Sequence, residues 1–393
     1  MPYYPSIFNQ LFNFIPRHSF DAANSRHNGD RYAKDFMGWQ QFLVGIYAQA
    51  TGKDSLREIE TGLAIHHSKL YHLGLKPVPR STLADAMERR DPAILEELFN
   101  HVLERARSLA PRHKFKFDNP LYSFDSTTID LCLSVFDWAK FRERKGAIKM
   151  HCKLDHSGDI PSFMVMTEGA RNDVAVAKEH FEISPDSIYC FDRGYSDFGF
   201  LHSIHEKEAY FVTRAKKNLA HSVFGQHAAP NRKKGVLSDE IIELDGYRTA
   251  GKYPDSLRKI TFKSKDDGKI YNFITNNMKL AASTIAEIYR QRWHIEIFFK
   301  WIKQNLKIKS FFGTSRNAVL WQIWTAMIYY LILAYVKFQS GTGLTLAELT
   351  FRFKNALFDR FDILELISIS RKSILKTVKS GSDIWQPDLF ALY

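Results

Sequence analysis

Apolar and polar positions along the 393 residues follow two regimes. Over residues 1–110 they recur at helical spacing. Phe8, Leu11, Phe12 and Ile15 stand at i, i+3, i+4 and i+7, one face of a helix. A longer helix is predicted over 32–50. Asp54 caps a third, with Leu56, Ile59 and Leu63 on one face. After a loop over 76–80, Ser81 or Thr82 can cap the next helix, and Thr82 with Asp85 forms a T-x-x-D box. Asp91-Pro92 opens a further helix that ends before Pro111. Arg80, Arg89 and Arg90 lie beside this helix–turn–helix, which reads equally as a DNA-binding motif or as ordinary helix packing.

From Pro120 the period changes. Residues 121–136 read as two strand-like runs about Asp125. Residues 148–155 and 160–167 are further strands joined by the turn 156–159. Asn172-Asp173 caps a helix through Phe181. A short buried strand, 187–192, ends in an acid; a helix over 196–208 and a strand over 209–215 follow. This order describes a mixed α/β sheet. Residues 216–284 interrupt it with a basic loop and β-like runs at 240–245, 257–263 and 270–276, with turns at Asp245-Gly246 and Asp267-Gly268. The reading is a small β insertion. Helices are expected over 316–338 and 344–358, and a loose tail from Lys379. The apolar run 318–336 is interrupted by Gln322 and carries aromatics all round, so it is expected as a buried helix, with no membrane span.

Residues 283–308 carry the chemistry. Free of Gly and Pro and capped by Ser283, they predict one helix of about seven turns. At about 100° per residue, Ile288, Ile295, Phe298, Phe299 and Ile302 share an apolar face. Beside it runs a stripe of Tyr289, Arg292, Trp293, Glu296, Lys300 and Lys303. Arg292 and Lys300, four residues to either side, hold Glu296 as a carboxylate. Aromatics among cations are what base stacking requires, whereas a solvated face requires none.

Net charge is +12, with a pI of about 9.4, which favours a polyanionic partner. The excess is local: six Lys or Arg and no acid over 214–236, and six against the single Glu296 over 289–309. Arg232, Lys233 and Lys234 are therefore candidate phosphate contacts. Three cysteines without a CxxC predict no disulfide framework and fit a reducing cytoplasm, and no signal peptide is visible.

Asp125 and Asp192 each follow a hydrophobic run, where open α/β sheets keep their sites. Two such carboxylates with a third on a packed helix form a hard oxygen site for Mg²⁺, or Mn²⁺ in its place. Two ions ~3.5–4 Å apart serve phosphoryl transfer. Taken singly, either Asp is as readily a turn former or a helix cap.

The spacing Tyr289-x-x-Arg292-x-x-x-Glu296-x₆-Lys303, with FDSTT at Asp125 and FDRGY at Asp192, resembles the Y-(2)-R-(3)-E-(6)-K signature and the two acid blocks of DDE transposases of the insertion-sequence-four family. The likeness covers 118–335, and residues 1–75 resemble the N-terminal domain of bacterial members. It implies a ribonuclease-H-like catalytic domain with a β insertion between the second Asp and the Glu. The expected division is a helical DNA-binding domain over 1–110, a catalytic domain over 111–340 with its insertion at about 216–280, and a helical segment over 341–393. It further implies that Asp125, Asp192 and Glu296 are catalytic and bind two metal ions. Tyr289, Arg292 and Lys303 would contact phosphates near the cleaved end, and Trp293 would stack a flipped base unless it packs in the core. Cut-and-paste transposition through a hairpin, a homodimer in the synaptic complex, and a bacterial, nucleoid-associated location follow from the same resemblance. A metal-dependent nuclease without strand transfer and an inactive DNA-binding relic are the alternatives. His294 lies off the stripe and is expected to be structural; no histidine pair shows metal-ligand spacing.

Overall fold

The computed structural model describes residues 4–132, 134–142 and 145–369. The expected loose tail lies outside them. The chain opens with α1 (Ile7–Phe12), α2 (Arg17–Arg26), α3 (Gly38–Thr51), α4 (Leu56–Ile65), α5 (His67–Leu70), α6 (Arg80–Arg89) and α7 (Ala93–Leu109). Four strands come next, and strands then alternate with helices: β1 (Leu121–Leu131), β2 (Lys140–Arg142), β3 (Lys145–Asp155), β4 (Ile160–Glu168), α8 (Asp173–His180), β5 (Ile188–Phe191), α9 (Phe198–Glu206) and β6 (Tyr210–Arg214). There follow β7 (His221–Gln226), β8 (Val236–Leu244), α10 (Tyr247–Ala250), β9 (Leu257–Lys263) and β10 (Ile270–Thr275). The chain continues with α11 (Ala282–Gln291), α12 (Trp293–Asn305), α13 (Arg316–Ser340), α14 (Leu346–Ala356) and α15 (Ile363–Ser368).

The strands form one mixed sheet in the order β2-β3-β1-β5-β6-β10-β9-β8-β7, with β4 also on β3. β1, β3 and β4 run antiparallel; β5 and β6 run parallel to β1. The stretch expected as a small β insertion does not stand apart. β10 pairs with β6 through Ile274↔Thr213, so β7–β10 continue the main sheet and cover what would otherwise be its open edge. Asp267-Gly268 makes the expected turn, with Gly268 at φ 68°. Asp245-Gly246 does not: Gly246 instead precedes α10.

Strand parity decides which side chains meet. Leu121, Ile188, Cys190 and Val212 point to one face and pack with Ile285 and Ile288 of α11. Tyr122, Phe124, Tyr189, Phe191 and Phe211 point to the other, with Ala177 of α8 and Leu201 and Ile204 of α9. Both faces are covered, so β5 is buried along its whole length. The pattern over 121–136 predicts two runs, but 121–131 form one unbroken strand. Asp125 thus lies within β1, at the point where its parallel neighbour β5 ends.

The third core surrounds α13, the 25-residue apolar helix. It is long and apolar enough to cross a membrane, yet 94% of its apolar window is buried within the protein. Side chains of α1–α4, α6 and α7 pack on it, with α12 and α14, in one continuous cluster. Residues of all three expected segments contribute to that core.

Caps differ in detail. Ser55, not Asp54, caps α4 by accepting from the Glu58 amide. α6 begins at Arg80 after Pro79, and Asp85 pairs with Arg89 rather than closing a capping box. Asn172 caps α8 as expected, accepting from the Val174 and Ala175 amides. Arg90 is buried: its guanidinium donates to the Gly29 and Phe36 carbonyls and to Gln41. It therefore fastens α6 to the loop before α3 and does not face outward in the manner of a DNA-reading arginine.

Candidate active site

β1 and β5 pair in register at Phe124↔Phe191. The next residue on each is Asp125 and Asp192. Both share parity with the α11-facing residues, so the two carboxylates stand side by side under the helix that follows β10. Asp125 Oδ1 accepts from the Ser126 amide at 2.8 Å. Asp192 Oδ1 accepts from the Gly194 amide at 2.7 Å and caps the short 3-10 turn 193–195.

The helix expected over 283–308 is two helices. It starts at Ala282, without a cap from Ser283, and breaks at Arg292. No Gly or Pro marks the break. The Arg292 amide donates to Tyr289 O, three residues back, and the Ile295 amide to Arg292 O, a 3-10 tightening. The guanidinium lies 5.7 Å from the Tyr289 ring centre, donates to Glu296 Oε1 at 2.6 Å, and comes within 3.9 Å of Asp125 Oδ2. Helical spacing places the first two partners beside Arg292; it cannot report the tertiary contact to Asp125. The apolar face is as expected, with Ile288, Ile295, Phe298, Phe299 and Ile302 all buried.

Arg292 therefore joins the helix acid to a strand acid. Burial pushes the Asp125 carboxyl up to about 7; the Ser126 amide opposes this, and the charges of Asp192 and Glu296 add to the rise while Arg292 counters it. A carboxylate so crowded by its neighbours is one that a cation would stabilise. Three carboxylates linked through Arg292 and by mutual charge, with no imidazole or thiolate among them, form a donor set that suits a hard divalent ion such as Mg²⁺ or Mn²⁺.

The remaining candidates separate. Tyr289 is half-buried against Phe273, ring centres 4.9 Å apart, and burial drives its hydroxyl up to about 12. Lys303 is turned inward: its Nζ donates to the Thr128 carbonyl of β1 at 2.8 Å. Lys300 is exposed. Trp293 is 56% exposed, which rules out the core-packing reading. Arg232, Lys233 and Lys234 form an exposed 3-10 turn and pair with no acid among the described residues. Of these three, Lys234 lines a cavity of about 700 Å³ with Tyr289, Arg292, Trp293, Arg214 and Tyr271. The basic loop and the helix stripe, far apart in sequence, thus border one space.

Two residues at the site lie within stretches the sequence marks, the basic run 214–236 and FDRGY, but are not singled out there. Arg214 ends β6 and stacks on Tyr271 at 4.8 Å. Tyr195, within FDRGY, buries a hydroxyl without a protein partner. Burial raises its pKa, and the charges of Asp173, Asp125 and Asp192 raise it further.

A mixed sheet carrying acids linked through Arg292, beside a groove of cations, acids and aromatics, is compatible with an enzyme that acts on DNA. The family described as transposase DDE domain matches residues 116–332, over half of the chain, and this chain belongs to that family. Residues 4–76 match a domain of unknown function, DUF4372. "Putative transposase y4zB" of Sinorhizobium fredii is 34% identical over 284 residues, covering 72% of this chain and 78% of that protein. "Probable transposase for insertion sequence element IS5377" of Geobacillus stearothermophilus is 28% identical over 247 residues, 62% of this chain and 64% of that protein. The cryo-EM structure of the piggyBac transposase synaptic complex with hairpin DNA aligns at 8% identity with a TM-score of 0.43, covering 98% of this chain and 84% of that one; a likeness that slight carries no weight.

Proposed function

We propose that this transposase, a member of the insertion-sequence-four group, binds the ends of its own element, cleaves them by metal-dependent phosphoryl transfer and joins them to target DNA. The observation that carries the reading is the register Phe124↔Phe191, which sets Asp125 beside Asp192, with Glu296 tied to the same place by Arg292. The order β4-β3-β1-β5-β6, antiparallel then parallel, supports a ribonuclease-H-like catalytic sheet to which β7–β10 are added.

Asp125, Asp192 and Glu296 would hold two divalent ions. When bound, such ions activate the attacking oxygen and stabilise the leaving 3′ oxygen. This chain's own residues do the rest. Arg292 holds Glu296 turned toward Asp125. Lys303 anchors α12 to β1 at Thr128, which fixes the height of Glu296 above the sheet. Tyr289, Trp293, Arg214 and Lys234 offer stacking surface and charge to a DNA end entering the cavity. A flipped base on Trp293 and a hairpin intermediate belong to this reading. So do a homodimer in the synaptic complex, a DNA-binding role for residues 1–110, and a cytoplasmic, nucleoid-associated location.

The test is incubation of the purified protein with Mg²⁺ or Mn²⁺ and DNA carrying the flanking ends of its element. Nicking, hairpin formation and joining to a target plasmid are expected. Cleavage without joining would leave a nuclease of this fold, and binding without either would leave a relic.

A further inference from the structure

Outside the carboxylate site, one cluster of ligating side chains stands out, on α12 and the β3–β4 turn. His294 follows Trp293 on α12. Asp159 ends the turn and His156 begins it, far before His294 in sequence. His294 Nδ1 lies 3.0 Å from both Asp159 oxygens, and His156 Nδ1 lies 3.6 Å from Asp159 Oδ1. All three ligand atoms fall within 4.8 Å of one another.

His156 supplies an independent observation. It is 8% exposed, and its Nδ1 has no hydrogen-bond partner. Its Nε2 sits 2.7 Å from the Ser123 hydroxyl, itself fully buried. A metal on Nδ1 requires the tautomer in which Nε2–H donates to Ser123 Oγ, and in that tautomer the Nδ1 lone pair faces a carboxylate oxygen, two acceptors that a cation between them would reconcile. A ring nitrogen directed at the ion while the other donates to a fixed oxygen is how metal-binding histidines are oriented.

We propose that His156, Asp159 and His294 form a transition-metal site, with Zn²⁺ the fitting ion. Zinc bonds of about 2.0–2.2 Å to nitrogen and oxygen in a tetrahedron place ligand atoms ~3.3 Å apart, and the contacts here straddle that value. Two imidazoles make the site softer than the carboxylate cluster, which suits Mg²⁺, so the two select different ions. His294 and Asp159 are half-exposed, which leaves an entry path. The surroundings hold the ligands in place. Tyr330 donates to the Asp159 carbonyl at 3.0 Å, and Asp159 adopts φ 54°, a backbone state that Asp tolerates. The site is separate from catalysis in its ligands but not in its consequence. It clamps the first turn of α12, which carries Trp293 and Glu296, to the hairpin that continues from β3.

The experiment uses the full-length protein stripped with chelator and titrated with Zn²⁺ alone, followed by calorimetry, metal content after dialysis and melting temperature. One retained equivalent per chain is expected, with a melting temperature that rises with Zn²⁺. Co²⁺ in its place should give visible d–d absorption. His294→Ala and His156→Ala should lose the retained metal, Ser123→Ala should weaken it by ~10–100-fold, and Glu296→Ala should keep it. No retained zinc in the wild-type chain, which needs no variant to fold, overturns the proposal and leaves a His–Asp–His ion pair. Retention that is lost in Glu296→Ala but kept in both histidine variants would assign the ion to the carboxylates and overturn it equally.

Discussion

Two groups of cations, each with one member on the same cavity (Arg292 and Lys234), differ in what they touch. Arg292 and Lys303 are turned inward: one spans Glu296 and Asp125, the other reaches the Thr128 carbonyl. Arg232, Lys233 and Lys234 ride on an exposed turn and touch no acid among the described residues. A cation already engaged with the protein cannot contribute its full charge to DNA, but it can hold a catalytic group in place. A free one does the reverse. The first group should therefore govern rate and the second affinity, and the two should respond to salt differently.

The sharpest break in that comparison is at the acids and their guanidinium. Replacing Asp125, Asp192 or Glu296 with Ala should take metal-dependent cleavage below detection while end binding persists, since the charges serve metals rather than the fold. Arg292→Ala should follow with a loss of ~10²–10³ in cleavage, the range for removing one preorganised donor. Gel-shift affinity measured beside single-turnover cleavage checks both. Cleavage retained in any acid variant removes that residue from the site, and an Arg292 variant that loses affinity and rate in step would return this arginine to the DNA-binding group.

Lys303→Ala is next in size. Its Nζ pins α12 to β1, so its removal lets Glu296 shift relative to Asp125, and a misplacement of about 1 Å can cost ~10² in rate. Affinity for the end should change little. If Lys303 instead breaks its internal bond to grip a phosphate, the log–log salt slope of binding will fall by about 0.9 in the variant, and the inward assignment fails.

The exposed turn should show the opposite profile. Neutralising Arg232, Lys233 and Lys234 together should weaken binding to all DNA sequences. The slope of log affinity against log salt should fall by about 0.9 for each phosphate that the turn no longer neutralises. Cleavage of saturated complexes should stay near wild type. An unchanged slope would mean that this turn does not meet DNA.

How much of this is legible in the sequence depends on the range of the contacts. The apolar face of α11 and α12, the cap at Asn172, the turn at Asp267-Gly268 and the burial of α13 follow from local periodicity and turn chemistry, and the structure has them. The helix break at Arg292 does not: no breaking residue marks it, and the contact that reaches beyond the helix pair there, Arg292 to Asp125 on β1, is long-range. Nor does the continuity of β7–β10 with the main sheet, which rests on one long-range pairing, β10 on β6. For the acids, the sequence supplies positions and the resemblance supplies roles; their adjacency needs the β1–β5 register. His156, Asp159 and His294 escape because spacing rules see ligands close in sequence, and this cluster closes over a long separation.

Trp293 tests the comparison from between its two halves. It sits on the same helix as Glu296, yet it is 56% exposed like the basic turn, and it lines the cavity together with Lys234 and Arg292. An exposed tryptophan contributes little to folding, so Trp293→Ala should leave the melting temperature near wild type. If it stacks an extruded base, the loss is ~1–3 kcal/mol, confined to the step in which that base is out of the helix. The first nick should then proceed at close to its normal rate while hairpin yield falls by roughly ten-fold, and Trp293→Phe should recover part of the loss because it keeps an aromatic face. Melting temperature, nicking and hairpin yield measured on one preparation decide the matter. A nick and a hairpin that fall together at unchanged stability would make Trp293 a general DNA contact like the basic turn, and a fall in melting temperature would show that its buried half packs more than its exposure implies.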